Sequence, residues 1–480
     1  MTRRLFLFEA RRLVRHPLVW GATVLVPALQ TSLSGDQQPD LTMDPVNATG
    51  LATCLAAAVL VVASLAASRD GRHGMPESLA GLPGRAEHRT RALLLATPLV
   101  AGLAAAVAMG GYLAIRLLSG PAGGRLDVWE PLTAVAAAVL AATLGVAVGR
   151  WSPWLIAGPL VVAVLGFLIY MNPTNGQARW LLPVMQVHQP DWPDRPSAAH
   201  LVYVLAVAAF FGGIALLRHR VRPLPAAAAV AALAAAVPSG ATAASTRPPT
   251  EFPTNVELTV GHVDSRVRER YFGPHAYRCT ERQGLTYCAF RGYEPWIPLW
   301  EQAVRPVVAA LPAARRARAP QVRQMSPNWS FADDSGVIRA SMSWGHLDQR
   351  RMLAEDVAFW GAGLYDSAAR HFSPSRRAAL CDVRGQARTV VALWLIGQVS
   401  PPEARRQLHV DRNLGRLSGL DWGQAEIGYA KLLLASPGAR EKVQANWGTL
   451  VKSTTTIDQA LPLLGLERTF NAPTGATPCL

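Results

Sequence analysis

The sequence predicts an all-α polytopic membrane protein, with about seven transmembrane helices arranged N-in/C-out, followed by a mainly α-helical exported domain with a small β element. Three observations predict this. Half of the 480 residues are hydrophobic and only 16% are charged, and the apolar ones fall in long blocks before residue 246. The polar connections between those blocks alternate between basic and acidic. Beyond residue 256 the blocks give way to the mixed composition of a water-exposed domain.

Residues 1–16 read as a cytoplasmic amphipathic, basic segment. A helix over TRRLFLFEARRLVRH sets Leu5, Phe6, Phe8, Leu13 and Val14 against Arg3, Arg4, Arg11, Arg12 and Arg15. Such a helix lies at the membrane surface with Arg toward phosphates, and the same charges are topogenic before a first span. The next run is long and lacks a small-residue cleavage site, so a removable signal peptide is not expected. Seven apolar runs fill residues 17–245, at about 17–34, 51–67, 92–118, 131–149, 153–171, 200–217 and 224–245. Roughly 20 residues of helix cross the hydrocarbon. Pro27, Gln30 and Thr31 weaken the first run; the last is mostly Ala and Val, interrupted by Pro238.

Loop charges orient these runs. Segments 1–16 and 68–91 carry five Arg each, 150–152 carries Arg150, and 218–223 carries Arg218, Arg220 and Arg222. Loop 35–50 has Asp36, Asp40 and Asp44 with no Lys or Arg, while 119–130 and 172–199 balance Arg125, Arg179 and Arg195 against Asp127, Glu130, Asp191 and Asp194. Basic loops belong on the cytoplasmic side, so every connection agrees with seven spans. That bias explains much of the net charge of +15. No nucleic-acid fold motif accompanies it, so the expected partner is the lipid bilayer and not a nucleic acid.

Inside the runs, ionisable residues are nearly absent. Arg116, two residues from the end of the third run, is expected to snorkel to the outer headgroups. The lack of an intramembrane acid or His argues against an ion-coupled pathway. Gly102, Ala106, Gly110, Gly111, Gly145 and Gly149 permit close helix contact, although an Ala/Gly-rich composition explains any single pair equally well. In loop 172–199, Trp180 and Trp192 fit an interfacial belt, and His188 reads as a solvent or hydrogen-bonding residue. The seventh run also has the grammar of an internal signal sequence. Whether retained, as expected, or cleaved, it delivers residues 246–480 to the outside.

Residues 246–256 form a Pro/Thr linker, and 257–480 the extracellular domain. A β-like piece at 256–260 precedes Cys279 and Cys288, which flank a hairpin. Cys381 and Cys479 complete an even count outside, with Cys54 left in a span. Even parity in an oxidising compartment predicts two disulfides. Three pairings exist, and proximity favours Cys279–Cys288 with Cys381–Cys479. Helices are expected at 296–308, 348–371, 375–397, 401–418, 421–435 and 438–463, with Asp421 and Ser436-Pro437 as starts for the last two. No His-Glu-x-x-His, no Gly-x-Ser-x-Gly and no P-loop occurs in the chain, so no catalytic residue, metal or cofactor is expected, and no ATP hydrolysis by the chain itself.

The stretch 68–91, SRDGRHGMPESLAGLPGRAEHRTR, is richer than a linker needs to be. Five Arg face three acids around a short apolar element, Leu79-Ala80-Gly81-Leu82, punctuated by Pro76 and Pro83. It reads as a cytoplasmic docking surface. Together with EARRLVRHPLVW, this stretch makes the first 220 residues resemble the permease subunit of an actinobacterial type-2 (export-type) ABC transporter. The resemblance implies a basic interfacial helix before the first span and a loop between spans two and three that docks on a separate ATPase subunit. It also implies a homo- or hetero-dimer of membrane subunits. On that reading the docking contact centres on Glu77, Leu79 and Leu82, with Arg85 and Arg89 at its edge. The chain departs from the family by a seventh span and a large exported domain. Some actinobacterial permease-like proteins carry such a domain, with a similar Cys…Tyr-Cys and Gly-Tyr-x-x-Trp signature, but no activity follows from it. The alternative is a membrane-anchored extracellular binding or sensing protein without transport activity.

Overall fold

A computed structural model describes residues 2–72, 86–171, 181–184, 195–219, 222–245, 265–325, 337–364, 381–400 and 420–471. The chain divides into two compact units, Met1–Pro249 and Thr250–Leu480.

The first unit is built on helices: α1 (Thr2–Val14), α2 (Pro17–Ser34), α3 (Asp44–Arg72), α4 (Ala86–Ser119), α5 (Trp129–Trp151), α6 (Ala157–Met171), α7 (Ser197–Leu217) and α8 (Pro223–Ser245). Five of these, α3, α4, α5, α7 and α8, are long and apolar enough to cross a membrane. The 17–34 run gives only an 18-residue helix interrupted by polar residues. The 153–171 run gives a 15-residue helix, because Pro153 and the turn after it delay its start. Pro238 does not break α8, which runs through it.

The helices are turned inside out relative to a water-soluble bundle. On α2 the buried stripe is Val19, Thr23, Val26, Gln30 and Ser34, while Leu18, Val24, Leu25, Leu29 and Leu33 are exposed. Leu160, Val164, Phe167 and Leu168 on α6 are likewise exposed. Contiguous apolar surface of this extent calls for a hydrocarbon environment or a partner. Helix α5 is the axis of the unit, packing against α3, α4 and α7. Its Gly145 and Gly149 allow the closest approach. A Cβ on Gly145 would sit 2.5 Å from the Leu60 carbonyl oxygen, and one on Gly149 would collide with that of Ser64. These small residues therefore serve contacts within the chain.

Two expectations fail here. Arg116 does not snorkel to the surface. Its side chain is 3% exposed and paired with Asp44 at 2.9 Å. The helices also extend past their apolar runs, so that Asp44 opens α3 and Glu130 lies in the first turn of α5. His200 lies buried near the start of α7, its Nε2 2.7 Å from the Leu182 carbonyl oxygen. Ionisable groups thus do occur in the helices long and apolar enough to cross a membrane. All three residues lie within the first turn of their helices, where loop and bundle both supply partners.

The second unit holds α9 (Ser265–Phe272), β1 (Tyr277–Arg282), β2 (Leu285–Phe290), α10 (Ile297–Ala310), α11 (Ala313–Arg316), β3 (Gln321–Gln324), β4 (Val337–Ala340), α12 (Leu347–Gly361), β5 (Cys381–Asp382), α13 (Ala387–Gly397), β6 (Leu420–Asp421), α14 (Gln424–Ala435), α15 (Ala439–Ala445), α16 (Trp447–Leu450) and α17 (Ile457–Leu464). The hairpin at the two cysteines forms as expected, antiparallel, with Cys279 opposite Cys288 and the two joined in a disulfide. It is part of more sheet than the sequence announces. Strands β3 and β4 add in parallel to give the order β1-β2-β3-β4, and β5 pairs with β6. These added strands are two to four residues long and pair across long stretches of chain, so no local periodicity reveals them.

Three helix readings are corrected. Residues 381–382 of the expected 375–397 helix form a strand, and the helix begins at Ala387. Helix 348–371 stops at Gly361, where Gly363 adopts φ +74°. The expected 438–463 helix is three pieces, the last started by Thr456, whose hydroxyl accepts from Gln459 N while Gln459 Oε1 accepts from Thr456 N. The starts at Asp421 and Ser436-Pro437 give way to Gly423 and to Gly438 at φ +67°. The core is Trp-rich: Trp296, Trp300, Trp344 and Trp394 are fully buried. Every residue of α13 is buried, including Arg388, which donates to Gln386 Oε1 at 2.6 Å and to Gly363 O at 2.9 Å.

Candidate functional site

Of the proposed docking residues, Glu77, Leu79, Leu82 and Arg85 lie outside the described residues; Arg89 is half-buried on α4. The β-like piece at 256–260, the 401–418 segment, Trp180, His188, Trp192 and Cys479 also lie outside them, so the Cys381–Cys479 pairing has no described geometry. What the structure does define is how the two flanks of the 73–85 segment are held.

On the entry side, Arg69 near the end of α3 pairs with Glu9 of α1, Nη2 to Oε1 at 2.6 Å. Glu9 is the one acid in a segment of five Arg, and it is buried because it falls beside the stripe of Phe6, Ala10 and Leu13 that packs on the bundle. On the exit side, α4 starts at Ala86, before its apolar run, and carries Glu87 in its first turn. A carboxylate there complements the helix dipole, and Arg91 lies four residues on, the favourable spacing. Glu87 pairs with Arg91 at 2.6 Å and with Arg222, at the start of α8, at 2.8 Å. One turn later Thr90 Oγ1 lies 2.7 Å from His219 Nε2. Burial holds the His219 imidazole below its ordinary pKa, and neighbouring Arg150, Arg218 and Arg89 act in the same direction against Glu87. The ring is therefore neutral near pH 7. Trp151 closes this rim, its Nε1 donating to Ile214 O at 3.0 Å, with the Arg218 guanidinium 5.7 Å above its ring.

Single ion pairs of this exposure contribute little to stability. Their significance is connectivity. The end of α3 is tied through Arg69–Glu9 to α1, and the start of α4 through Glu87–Arg222 and Thr90–His219 to the α7–α8 connection. In the sequence Arg69, Glu87, Arg89 and Arg91 stand out only as charges. The lone acid Glu9 on an otherwise apolar stripe is the available signal for the α1 tie. Nothing local announces His219.

The opposite end of the unit holds a buried polar cluster. Asp44 accepts from Arg116 Nε at 2.9 Å, from Tyr112 Oη at 3.2 Å and from Asp40 N at 3.0 Å. Arg116 also donates to the carbonyls of Ser34, Gln37 and Gln38 at 2.9, 3.0 and 2.9 Å. It thereby satisfies acceptors that the end of α2 leaves open. Arg195 pairs with Glu130 at 3.8 Å and donates to Thr42 O at 3.0 Å, and Ser197 donates to Asp127. Among the described residues no three His, Cys, Asp or Glu side chains cluster as metal ligands would. Comparison of the chain with family models, curated proteins and solved structures finds no match.

Proposed function

We propose that the chain is the membrane-spanning subunit of an ABC-type exporter, working with a separate ATPase subunit docked on the 68–91 loop. In this reading α1 lies at the cytoplasmic surface, and α2 and α6 complete seven spans with the five longer helices. The amino terminus is inside, and the second unit is extracellular. The observation that carries the reading is the tethering of both flanks of the loop, by Arg69–Glu9 and by Glu87–Arg222, to other helices. A loop that only connected two spans would need no such ties, whereas one that passes a partner's motion into the bundle does.

The test is purification of the full chain from native membranes in mild detergent, followed by assay of associated ATP turnover. Leu79→Asp or Leu82→Asp removes the apolar centre on which interface energy concentrates. Both should abolish ATPase co-purification and turnover without affecting insertion, because the topogenic Arg residues remain. Arg85→Ala should do little, as rim charges mainly tune association rates. Unchanged co-purification and turnover in Leu79→Asp would leave the membrane-anchored binding or sensing protein as the better reading. The independent Trp-rich core of the second unit favours that alternative in such an event.

A further inference from the structure

Helix α6 packs on α3 and α5, and α7 packs on α5 and α8. Between α6 and α7 lies a pocket of about 400 Å³, floored by α3 and α5 and lined by Ala57, Leu140, Leu165, Val207 and Phe211 among others. Among the described residues no charged side chain lines it. Its polar hydroxyls are already used: Thr53 donates to Gly50 O at 2.6 Å, and Tyr203 donates to Leu181 O at 2.8 Å. Among the described lining residues the remaining polar side-chain atom is the thiol of Cys54, which is free and exposed. Against the described lining a ligand gains dispersion contacts, with only the weak thiol donor of Cys54 beside them.

Depth identifies the ligand class. The α3 residues of the lining run from Thr53 to Leu60, and the α5 residues from Ala137 to Leu144. At 1.5 Å per residue they lie roughly 12–24 Å below the ends of their helices at Asp44 and Trp129, inside a hydrocarbon layer of about 30 Å. At that depth the surrounding medium is acyl chain, and an empty apolar pocket of this size would forfeit contact on every wall. We propose that this pocket holds one acyl chain of a bilayer phospholipid, inserted between α6 and α7. The proposal rests on the spanning reading of the bundle and is independent of any ATPase.

Gly166 supplies the test. It lines the pocket, and a Cβ added there meets no atom within 4 Å, so Gly166→Leu starts its side chain in open space and takes up pocket volume. The full chain is purified in detergent, dioleoyl phosphatidylcholine is added, and bound lipid is counted by native mass spectrometry. In parallel, the rate of Cys54 modification by N-ethylmaleimide is followed. The parent chain should hold one phospholipid more than Gly166→Leu. Its Cys54 should react about tenfold more slowly when lipid is at ten times its dissociation constant, since only the empty fraction reacts. In Gly166→Leu added lipid should not change the rate. Val207→Phe serves as a second filled variant should the first fail to fold. Equal lipid counts in parent and filled variants, or Cys54 reactivity that lipid does not alter, would overturn the proposal. So would equal protection of Cys54 by a rigid sterol, which would show a pocket that does not select a flexible chain. None of these readings depends on ATP turnover, so they fail separately from the transporter reading.

Discussion

Replacing Arg116 by Met separates a buried latch from a surface charge. The Arg116 and Asp44 side chains are 3% and 4% exposed, and the guanidinium serves one carboxylate and three carbonyls. Removing one partner of a buried ion pair costs about 3–5 kcal/mol, because the other charge is left without compensation. An exposed pair would cost about 0–1 kcal/mol. For a unit of the size of Met1–Pro249, each kcal/mol moves Tm by about 2–4 °C, so Arg116→Met should lower the transition of the first unit by about 6–20 °C. The measurement is loss of the folded species on heating in detergent, read by size-exclusion chromatography and intrinsic fluorescence. The second unit's transition acts as an internal control. Adding Asp44→Leu should recover part of the loss by removing the orphaned carboxylate. Recovery should stay incomplete, because the carbonyls of Ser34, Gln37 and Gln38 still lack their donor. A shift below about 3 °C in the single variant would refute the latch, since it is what a surface pair yields.

The same geometry sets three further outcomes. Gly145→Val forces a Cβ against the Leu60 carbonyl oxygen and should destabilise the unit by about 1–3 kcal/mol. Gly110→Ala, where an added Cβ meets nothing within 4 Å, should be neutral or stabilise by about 0.5–1 kcal/mol; paired thermal melts of the two variants check both signs. For His219, the folded pKa lies below the ordinary 6.5, so the unfolded chain binds the proton more readily. The stability this contributes is fully present above pH 6.5 and is lost as pH falls through the folded value. Melting curves taken between about pH 8 and pH 5 should show a decline that His219→Gln reduces.

Legibility from sequence tracks the range of the interactions involved. Run lengths reveal α3, α4, α5, α7 and α8 as helices long and apolar enough to cross a membrane, because length and apolarity are properties of contiguous sequence. The Cys279–Cys288 hairpin is legible for the same reason, as its pairing spans nine residues. Strands β3 to β6 are not. Each is shorter than one alternation pattern can establish, and each exists through a partner distant in the chain. The candidate loop is legible as composition, but its ties to Glu9, Arg222 and His219 are invisible, since those contacts join residues 60 to 135 positions apart.

Burial of Arg116 bears on the orientation of the chain. The positive-inside rule concerns basic residues that would have to cross the membrane with their connecting loops. A cation neutralised by a buried carboxylate at the same depth adds little to that count. Arg116 with Asp44 and Arg195 with Glu130 cancel as pairs. Setting them aside leaves Asp36 and Asp40 in loop 35–50, Arg125 against Asp127 in 119–130, and Arg179 against Asp191 and Asp194 in 172–199. At the other end Glu9 neutralises Arg69, and Glu87 is shared between Arg91 and Arg222. Segments 1–16, 68–91 and 218–223 still keep a clear excess of Arg. The asymmetry survives these cancellations, because each removes a cation together with an acid and the proposed inner segments still hold more Arg than acids. The proposed orientation therefore does not depend on where Arg116 points, and its burial removes a cation that would otherwise count against it.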